Sequence, residues 1–260
     1  MRKFLILEIN FNINKYLIFL IIKYNIMSKK KILCIIPARQ GSKGLKNKNI
    51  IKLGKDPLIA WPIKAALKSK YLEKVIVSTD SKKISNIAIK YGADVPFLRP
   101  KKLANDKAST VDTIKHALNF FKRKNIIFNY VLCLECTSPF TNSKEINLAI
   151  KYFFKKKAES LIGVGLCSSK HIDYLFFQKK NFFLSKLTNK RKDLRRQNLK
   201  KFFFIDGSLY LSSVKSLFKN NSFISNRTLP FVMPKHKSFE IDDKIDLLIY
   251  QTLLNNNYAK

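Results

Sequence analysis

The chain has 260 residues, 46% of them apolar and 26% charged, a composition that supports a sizeable buried core and excludes a mini-protein, a collagenous repeat and a multi-spanning membrane protein. Lys and Arg number 51 against 17 Asp and Glu, a formal charge of +34. The lysines run through nearly every segment instead of forming one stripe, so no dedicated nucleic-acid module is expected, although the charge draws polyanions such as nucleoside triphosphates.

Residues 1–26 stand apart from the rest. Their apolar run, Tyr16 to Ile22, lies between Lys15 and Lys23; it falls well short of the roughly 20 residues that span a bilayer, and no small-residue cleavage site follows it. Met27 reads as the working start and 1–26 as a flexible or spurious leader, with a weak membrane tether as the alternative; no stable membrane insertion is expected.

From Met27 onward short apolar runs alternate with amphipathic stretches, the pattern of an α/β layer architecture. Ile32 to Ile36 reads as a buried strand, followed by a Gly- and Lys-rich loop and a helix around Ile59 to Lys68. Lys74 to Val77 is the next strand, and Asp80 or Ser81 caps a helix to about Tyr91. Val95 to Leu98 is a short strand or extended turn, Ser109 to Lys122 a helix, Tyr130 to Leu134 a strand, Thr141 to Lys156 a helix and Leu161 to Leu166 a strand. Runs apolar on both faces suit parallel strands covered on both sides, which makes the fold class α/β with a doubly wound, mostly parallel sheet. Residues 167–204 break the rhythm and read as an inserted subdomain or interface arm, since so long a structureless loop is uncommon inside a compact domain. The basic, aromatic-rich part of this stretch matches no known nucleic-acid module. Ile205 to Leu211 returns as a strand, and a last helix runs from about Asp242 to Leu254. The cysteines, Cys34, Cys133, Cys136 and Cys167, form no disulfide framework. The single C-x-x-C has neither a second ligand pair for zinc nor a helix starting directly after it, so reduced strand cysteines in the cytoplasm are expected.

The segment richest in chemistry is Ile36 to Asn49, IPARQGSKGLKNKN, directly after the first strand. Loops at the carboxyl ends of a doubly wound sheet face the ligand crevice. Gly41 and Gly44 allow close backbone approach to a phosphate, and Arg39, Lys43 and Lys48 carry charge against it. The loop is neither a Walker loop nor a dinucleotide fingerprint, and by spacing alone a basic surface turn remains open. Downstream, Glu240 and Asp242 lie on one side of an extended segment, a pair suited to Mg²⁺ completed by phosphate oxygens; Asp242 otherwise caps the last helix together with Asp243 and Asp246.

IPARQGSKGLKNKN resembles the signature of the CMP-sialic acid synthetases (acylneuraminate cytidylyltransferases). The likeness continues in order through VSTD at Val77 to Asp80, VPFLRPKKLANDKAST at Val95 to Thr110, LECTSP at Leu134 to Pro139, RRQN at Arg195 to Asn198, IDGSLYL at Ile205 to Leu211 and FEIDDKIDL at Phe239 to Leu247. It spans roughly residues 31 to 254, and several collinear motifs are far more specific than any one. The resemblance implies a Rossmann-like nucleotidyltransferase fold. It also implies transfer of CMP from CTP to a 2-keto nonulosonic sugar acid with release of pyrophosphate, Mg²⁺ as cofactor, and a homodimer in which 167–204 helps complete the partner's sugar site. By the same resemblance Arg39, Lys43 and Lys48 meet the phosphates. Gly41, Ser42, Gly44, Asn49, Arg99, Thr110, Thr137 and Ser138 then hold the nucleotide, Glu135, Arg196, Gln197, Asp206 and Tyr174 serve the sugar acid, and Asp242 and Glu240 hold the metal. For Arg99 and Thr110 a loop salt bridge and a helix cap are the alternatives, and for His171 plain exposure in the arm.

Three departures are visible. Glu135-Cys136 stands where the synthetases commonly have Gln-Pro, Asp206 where Asn often precedes Gly207, and Glu240 where Asp is typical. The related Kdo cytidylyltransferases are expected to carry Arg-Leu-Pro-Gly where this chain has Lys43-Gly44-Leu45-Lys46, which argues against them. A degenerate nucleotide-binding protein without turnover is the second alternative, and no general base is identifiable.

Overall fold

The computed structural model describes residues 30–41, 44–167, 171–180, 182–187 and 200–258; the leader 1–26, Ser42, Lys43, Arg196 and Gln197 lie outside them. Ile32–Pro37 (β1) is buried on both faces because it has no polar face. Leu33 and Ile35 point into one apolar layer with Ile114 and Ala117, while Ile32, Cys34 and Ile36 point into another with Ile63, Ala66, Ile146 and Ile150. The partners come from helices Ala60–Leu67 (α1), Thr110–Arg123 (α3) and Ser143–Lys155 (α4). Lys82–Lys90 (α2) joins α1 and α4 on their face through Ile84 and Ala88. In α3 the buried set Ile114, Ala117, Leu118 and Phe121 has the i, i+3, i+4, i+7 spacing of one helical stripe. Full burial of each large side chain contributes about 1.5–3 kcal/mol.

The main sheet adds Lys74–Ser78 (β4), Tyr130–Cys133 (β5), Ser160–Leu166 (β6), Phe203–Ser213 (β9) and Thr228–Val232 (β10), in the order β10-β6-β9-β5-β1-β4. Pairs β1/β4, β1/β5 and β6/β10 are parallel, and β9 alone runs against its neighbours β5 and β6. The doubly wound, mostly parallel class read from the sequence therefore holds, with one antiparallel strand at its centre. Between Val164/Ile205 and Ile162/Tyr210 the β6/β9 register shifts. The extra residues of β9 bulge out around Gly207, which has φ +69°. Gly163 leaves room for this bulge, since a Cβ there would collide with the Ser208 hydroxyl.

Two small antiparallel hairpins complete the strands: Lys52–Leu53 with Asp56–Pro57 (β2, β3), and Phe176–Gln178 with Leu184–Lys186 (β7, β8) within the expected arm. The first hairpin, together with Phe140, buries Tyr250 of the last helix, Lys244–Asn255 (α6), in a third apolar cluster. The short helix Val214–Asn220 (α5) and strand β10 are not legible in the sequence pattern. β10 carries Pro230 and lies at a sheet edge, where a missing N–H is tolerated. Val95 to Leu98 forms no strand, being flanked only by the isolated bridges Ile76↔Asp94 and Thr79↔Leu98. Among the described residues no helix is long and apolar enough to cross a membrane.

Candidate active site

At the carboxyl ends of β1, β4 and β5 lies a cleft of about 630 Å³. The loop after β1 contributes Arg39, Gly44, Lys48 and Asn49, the start of α3 contributes Ser109 and Thr110, and the turn after β5 contributes Glu135 and Thr137. Tyr210 comes from β9, and Glu240 and Asp242 from the segment before α6. A strap between Arg99 and Ser109 covers one side with Leu103, Asn105 and Asp106.

Each wall has a local cause. Asp80, a candidate cap for α2, instead accepts a hydrogen bond from the Gln40 amide at 2.9 Å and tethers the loop after β1; Ser81 occupies the N-cap position without a side-chain cap bond. Buried Asn49 donates through Nδ2 to the Arg39 carbonyl at 2.9 Å, folding the loop back on itself. Gly41 faces open space, whereas a Cβ on Gly44 would strike the Asp242 carbonyl oxygen. Gly44 is thus required for contact with the Asp242 backbone, a demand the sequence reading placed on a phosphate. At α3, Ser109 forms a capping box with Asp112, leaving Thr110 as the first helical residue on the cleft wall. A helix N-terminus there favours anions.

Between Phe239 and Asp243 the chain is extended, and the Ile241 amide donates to the Thr137 carbonyl at 2.9 Å. Ile241 is buried, so Glu240 and Asp242 both turn to the cleft, as their alternation implies. The Thr137 hydroxyl donates to Glu240 Oε2 at 2.8 Å. Lys48 Nζ donates to Asp242 Oδ1 at 2.9 Å. The cap of α6 is Asp243, boxed with Asp246, so the Asp242 side chain is not the helix cap.

Arg99 is 6% exposed. Its guanidinium donates to the Ser78 hydroxyl at 3.2 Å, to the Ser78 carbonyl and to the Leu103 carbonyl at 3.4 Å. It lines the cleft and also ties the strap to β4, so the structural alternative for Arg99, a loop anchor, is present alongside its place on the cleft wall. Ser138, Asp206 and Tyr174 do not line the cleft. The Ser138 hydroxyl donates to the Asp206 carbonyl at 3.3 Å beneath it. Asp206 is 1% exposed in the bulge, with Oδ1 on the Ser208 hydroxyl at 2.6 Å and, among the described residues, no partner for Oδ2. Tyr174 packs at 6.1 Å between ring centroids from His171 in the arm. His171 is itself buried, with Nε2 2.8 Å from the Lys200 carbonyl, so it joins the two ends of the arm.

Electrostatically the cleft does not share the excess of its chain. Its described walls carry three cations, Arg39, Lys48 and Arg99, against four carboxylates, Asp106, Glu135, Glu240 and Asp242. A triphosphate enters such a cleft only if some of the acids are neutralised or moved aside. Burial, and secondarily Glu240, push the Glu135 carboxyl up to about 7. Burial likewise raises Asp206. A protonated carboxyl presents an O–H donor, so Glu135, near neutral pH, is partly available as one. Tyr210, pushed up by burial and then by Glu135 and Glu240, remains a neutral donor. Among the described residues no group of three His, Cys, Asp or Glu could hold a metal ion. Two carboxylates nevertheless fit the habit of Mg²⁺, which takes one or two and completes its octahedron with water and phosphate oxygens. The two cleft residues the sequence reading missed with most consequence are Asp106 and Tyr210, both inside quoted motifs but with surroundings set by residues distant in sequence.

A smaller apolar annex of about 220 Å³ opens beside the cleft. It shares Thr110, Glu135 and Tyr210 with it and is closed by Val111, Ile205, Phe223 and Ile224, with Ser222 the one polar residue among them.

A family profile described as "Cytidylyltransferase" matches residues 33–233. The chain is 35% identical over 233 residues to a CMP-N,N'-diacetyllegionaminic acid synthase of Legionella pneumophila, covering 87% of this chain and 97% of that protein. It is 31% identical over 228 residues to a pseudaminic acid cytidylyltransferase of Campylobacter jejuni, covering 88% and 98%. Among solved structures, a CMP:2-keto-3-deoxy-manno-octonic acid synthetase complexed with CTP superposes with TM-score 0.65 and 14% identity over 88% of this chain and all of that one, a likeness of fold alone.

Proposed function

Because the chain belongs to the cytidylyltransferase family, we propose that it couples CTP to a nine-carbon 2-keto sugar acid of the sialic, legionaminic or pseudaminic type, giving a CMP-sugar for surface glycans and pyrophosphate. It is a nucleotidyltransferase. The observation that carries the substrate reading is the convergence of Arg39, Lys48, Glu240 and Asp242 on one cleft that continues into the apolar annex. The octonic acid alternative rests on fold likeness alone, and its loop sequence is absent here. A cytoplasmic location suits the four free cysteines.

In this reading the anomeric hydroxyl of the sugar acid attacks the α-phosphorus of CTP, the bond to the β-phosphate oxygen breaks, and pyrophosphate leaves. Such transfer depends on positioning and on stabilising charge at the phosphoryl oxygens. Arg39 and Lys48 face the phosphates, and the Ser109 to Thr110 helix start adds its partial positive charge. Glu240 and Asp242 would hold Mg²⁺, which supplies charge neutralisation at the phosphate oxygens when bound. Thr137 fixes the Glu240 carboxylate, and Tyr210 and Glu135 stand where cleft and annex meet, facing the sugar acid. The annex accepts a methyl-bearing substituent such as an N-acyl group, because its closing wall is mostly apolar. The arm carries a second expectation. Phe182 and Phe183 are 82% and 72% exposed at the tip of the β7/β8 hairpin, an apolar tip that a homodimer interface would cover.

The test is pyrophosphate release from CTP and Mg²⁺ with a panel of nonulosonic acids. Turnover with at least one acid, and its loss in Arg39→Ala with the fold retained, is expected. CTP binding without turnover of any acid would favour the degenerate nucleotide binder, and near-normal rates in Arg39→Ala would overturn the phosphate assignment.

A further inference from the structure

The strap between Arg99 and Ser109 is built as a unit. The Arg99 amide donates to the Thr79 carbonyl at 2.7 Å, and its guanidinium holds the Leu103 carbonyl. At the tip the Asn105 side chain accepts from the amides of Lys107 at 2.9 Å and Ala108 at 3.0 Å. This turn presents Asp106 across the cleft, where Oδ1 lies 2.8 Å from Nη2 of Arg39. An acid therefore faces the guanidinium that would meet the phosphates, and both residues are cleft walls.

We propose that Asp106 is a gating counter-ion, a positioning residue that holds Arg39 across the cleft mouth and yields it when the triphosphate binds. The inference rests on the reading of Arg39 as a phosphate ligand and adds the residue that competes for it. Three observations carry it. Asp106 and Arg39 both line the cleft, and the Asp106 carboxylate already occupies the guanidinium that an entering triphosphate would need. Unlike Glu240 and Asp242, it lies on the strap and not on the segment suited to Mg²⁺, so a cation held there does not neutralise it. The Asp106 side chain is half exposed, which keeps the pair with Arg39 weak enough to exchange. The strap itself is anchored through Arg99 and Asn105, so it keeps its place when the pair with Arg39 opens.

The test measures binding of CTP with Mg²⁺ and of inorganic triphosphate by calorimetry, and of cytidine by competition, in wild type, Asp106→Asn and Asp106→Glu. In Asp106→Asn, CTP and triphosphate should bind about two- to five-fold more tightly, the range of an exposed ion pair. Cytidine, which lacks phosphate, should be unaffected, and Asp106→Glu should stay near wild type. The gain should vanish in an Arg39→Ala background, because Asp106 acts through Arg39. A purely structural role for Asp106 would weaken all three ligands together. Unchanged or weaker triphosphate binding in a folded Asp106→Asn protein, or a gain that persists without Arg39, would overturn the proposal. If the wild-type protein binds no CTP, the functional reading itself falls and the gate with it.

Discussion

Lys48 Nζ lies 2.9 Å from Asp242 Oδ1, an ion pair that bridges 194 positions of sequence and closes the floor of the cleft between the loop after β1 and the segment before α6. It joins a residue read as a phosphate ligand to one read as a metal ligand, so the two roles are coupled before any substrate arrives. Lys48→Ala should lower kcat/KM by about 10²-fold, the cost of removing one charge-stabilising donor. Asp242→Asn should raise the Mg²⁺ concentration needed for half-maximal rate. Steady-state rates over a Mg²⁺ titration check both, and an unchanged Mg²⁺ requirement in Asp242→Asn would remove that residue from the metal site.

Gly44 and the Asp242 backbone touch so closely that an added Cβ has no room. Gly44→Ala should push the loop away from Asp242 at a stability cost of about 1–3 kcal/mol and raise the KM for CTP. Gly41→Ala, facing open space, should do neither. Thermal melts and CTP kinetics on the two variants separate these outcomes.

Glu135 sets a pH dependence in the protein free of Mg²⁺ and nucleotide. Its folded value of about 7 exceeds the ordinary 4.5 because burial, then the charge of Glu240, disfavour ionisation. The native state therefore binds more protons between these values, and stability falls as pH rises through that window. The penalty is absent below about pH 4.5 and complete above about pH 7, at most about 3 kcal/mol. Glu135→Gln should match wild type in denaturation near pH 4.5 and exceed it in stability near pH 8. Parallel stability curves for the two proteins would contradict this assignment.

The annex makes a prediction about the sugar acid alone. Ile224→Asn should raise the KM for an N-acylated nonulosonic acid by about 3- to 10-fold, the scale of a lost apolar contact, and leave the KM for CTP unchanged. Equal effects on both substrates would mean that the annex is not a separate subsite.

At the hairpin tip, Phe182→Asp with Phe183→Asp should convert a dimer to a monomer in light scattering, since a buried unpaired charge costs several kcal/mol. Wild-type protein that is already monomeric and fully active would refute the homodimer.

Much of the cleft's lining is legible in the sequence, because local motifs carry it. IPARQGSKGLKNKN places Arg39, Lys48 and Asn49 on one loop, and the alternation of Glu240 and Asp242 about Ile241 follows from extended geometry. What escaped was pairing at a distance. Asp80 reads as a helix cap, yet it tethers Gln40 because β1 and β4 are neighbours in the sheet. Arg99 reads as a nucleotide contact or a loop salt bridge, and only the fold shows that its partners are Ser78 and the Leu103 carbonyl. Tyr210 and Asp106 sit in plain view within IDGSLYL and LANDKAST, but nothing local says which walls they face.

By itself the sequence determined the layered α/β class, the order and type of most elements and the loop after β1 that lines the cleft, since these follow from hydrophobic period, capping and short-range spacing. Only the tertiary structure decided that β9 runs antiparallel between β5 and β6, that Gly44 exists for Asp242, and that Asp106 holds Arg39. Those relations depend on which segments the sheet brings side by side, and contact free energies between residues far apart along the chain leave no periodic trace in it.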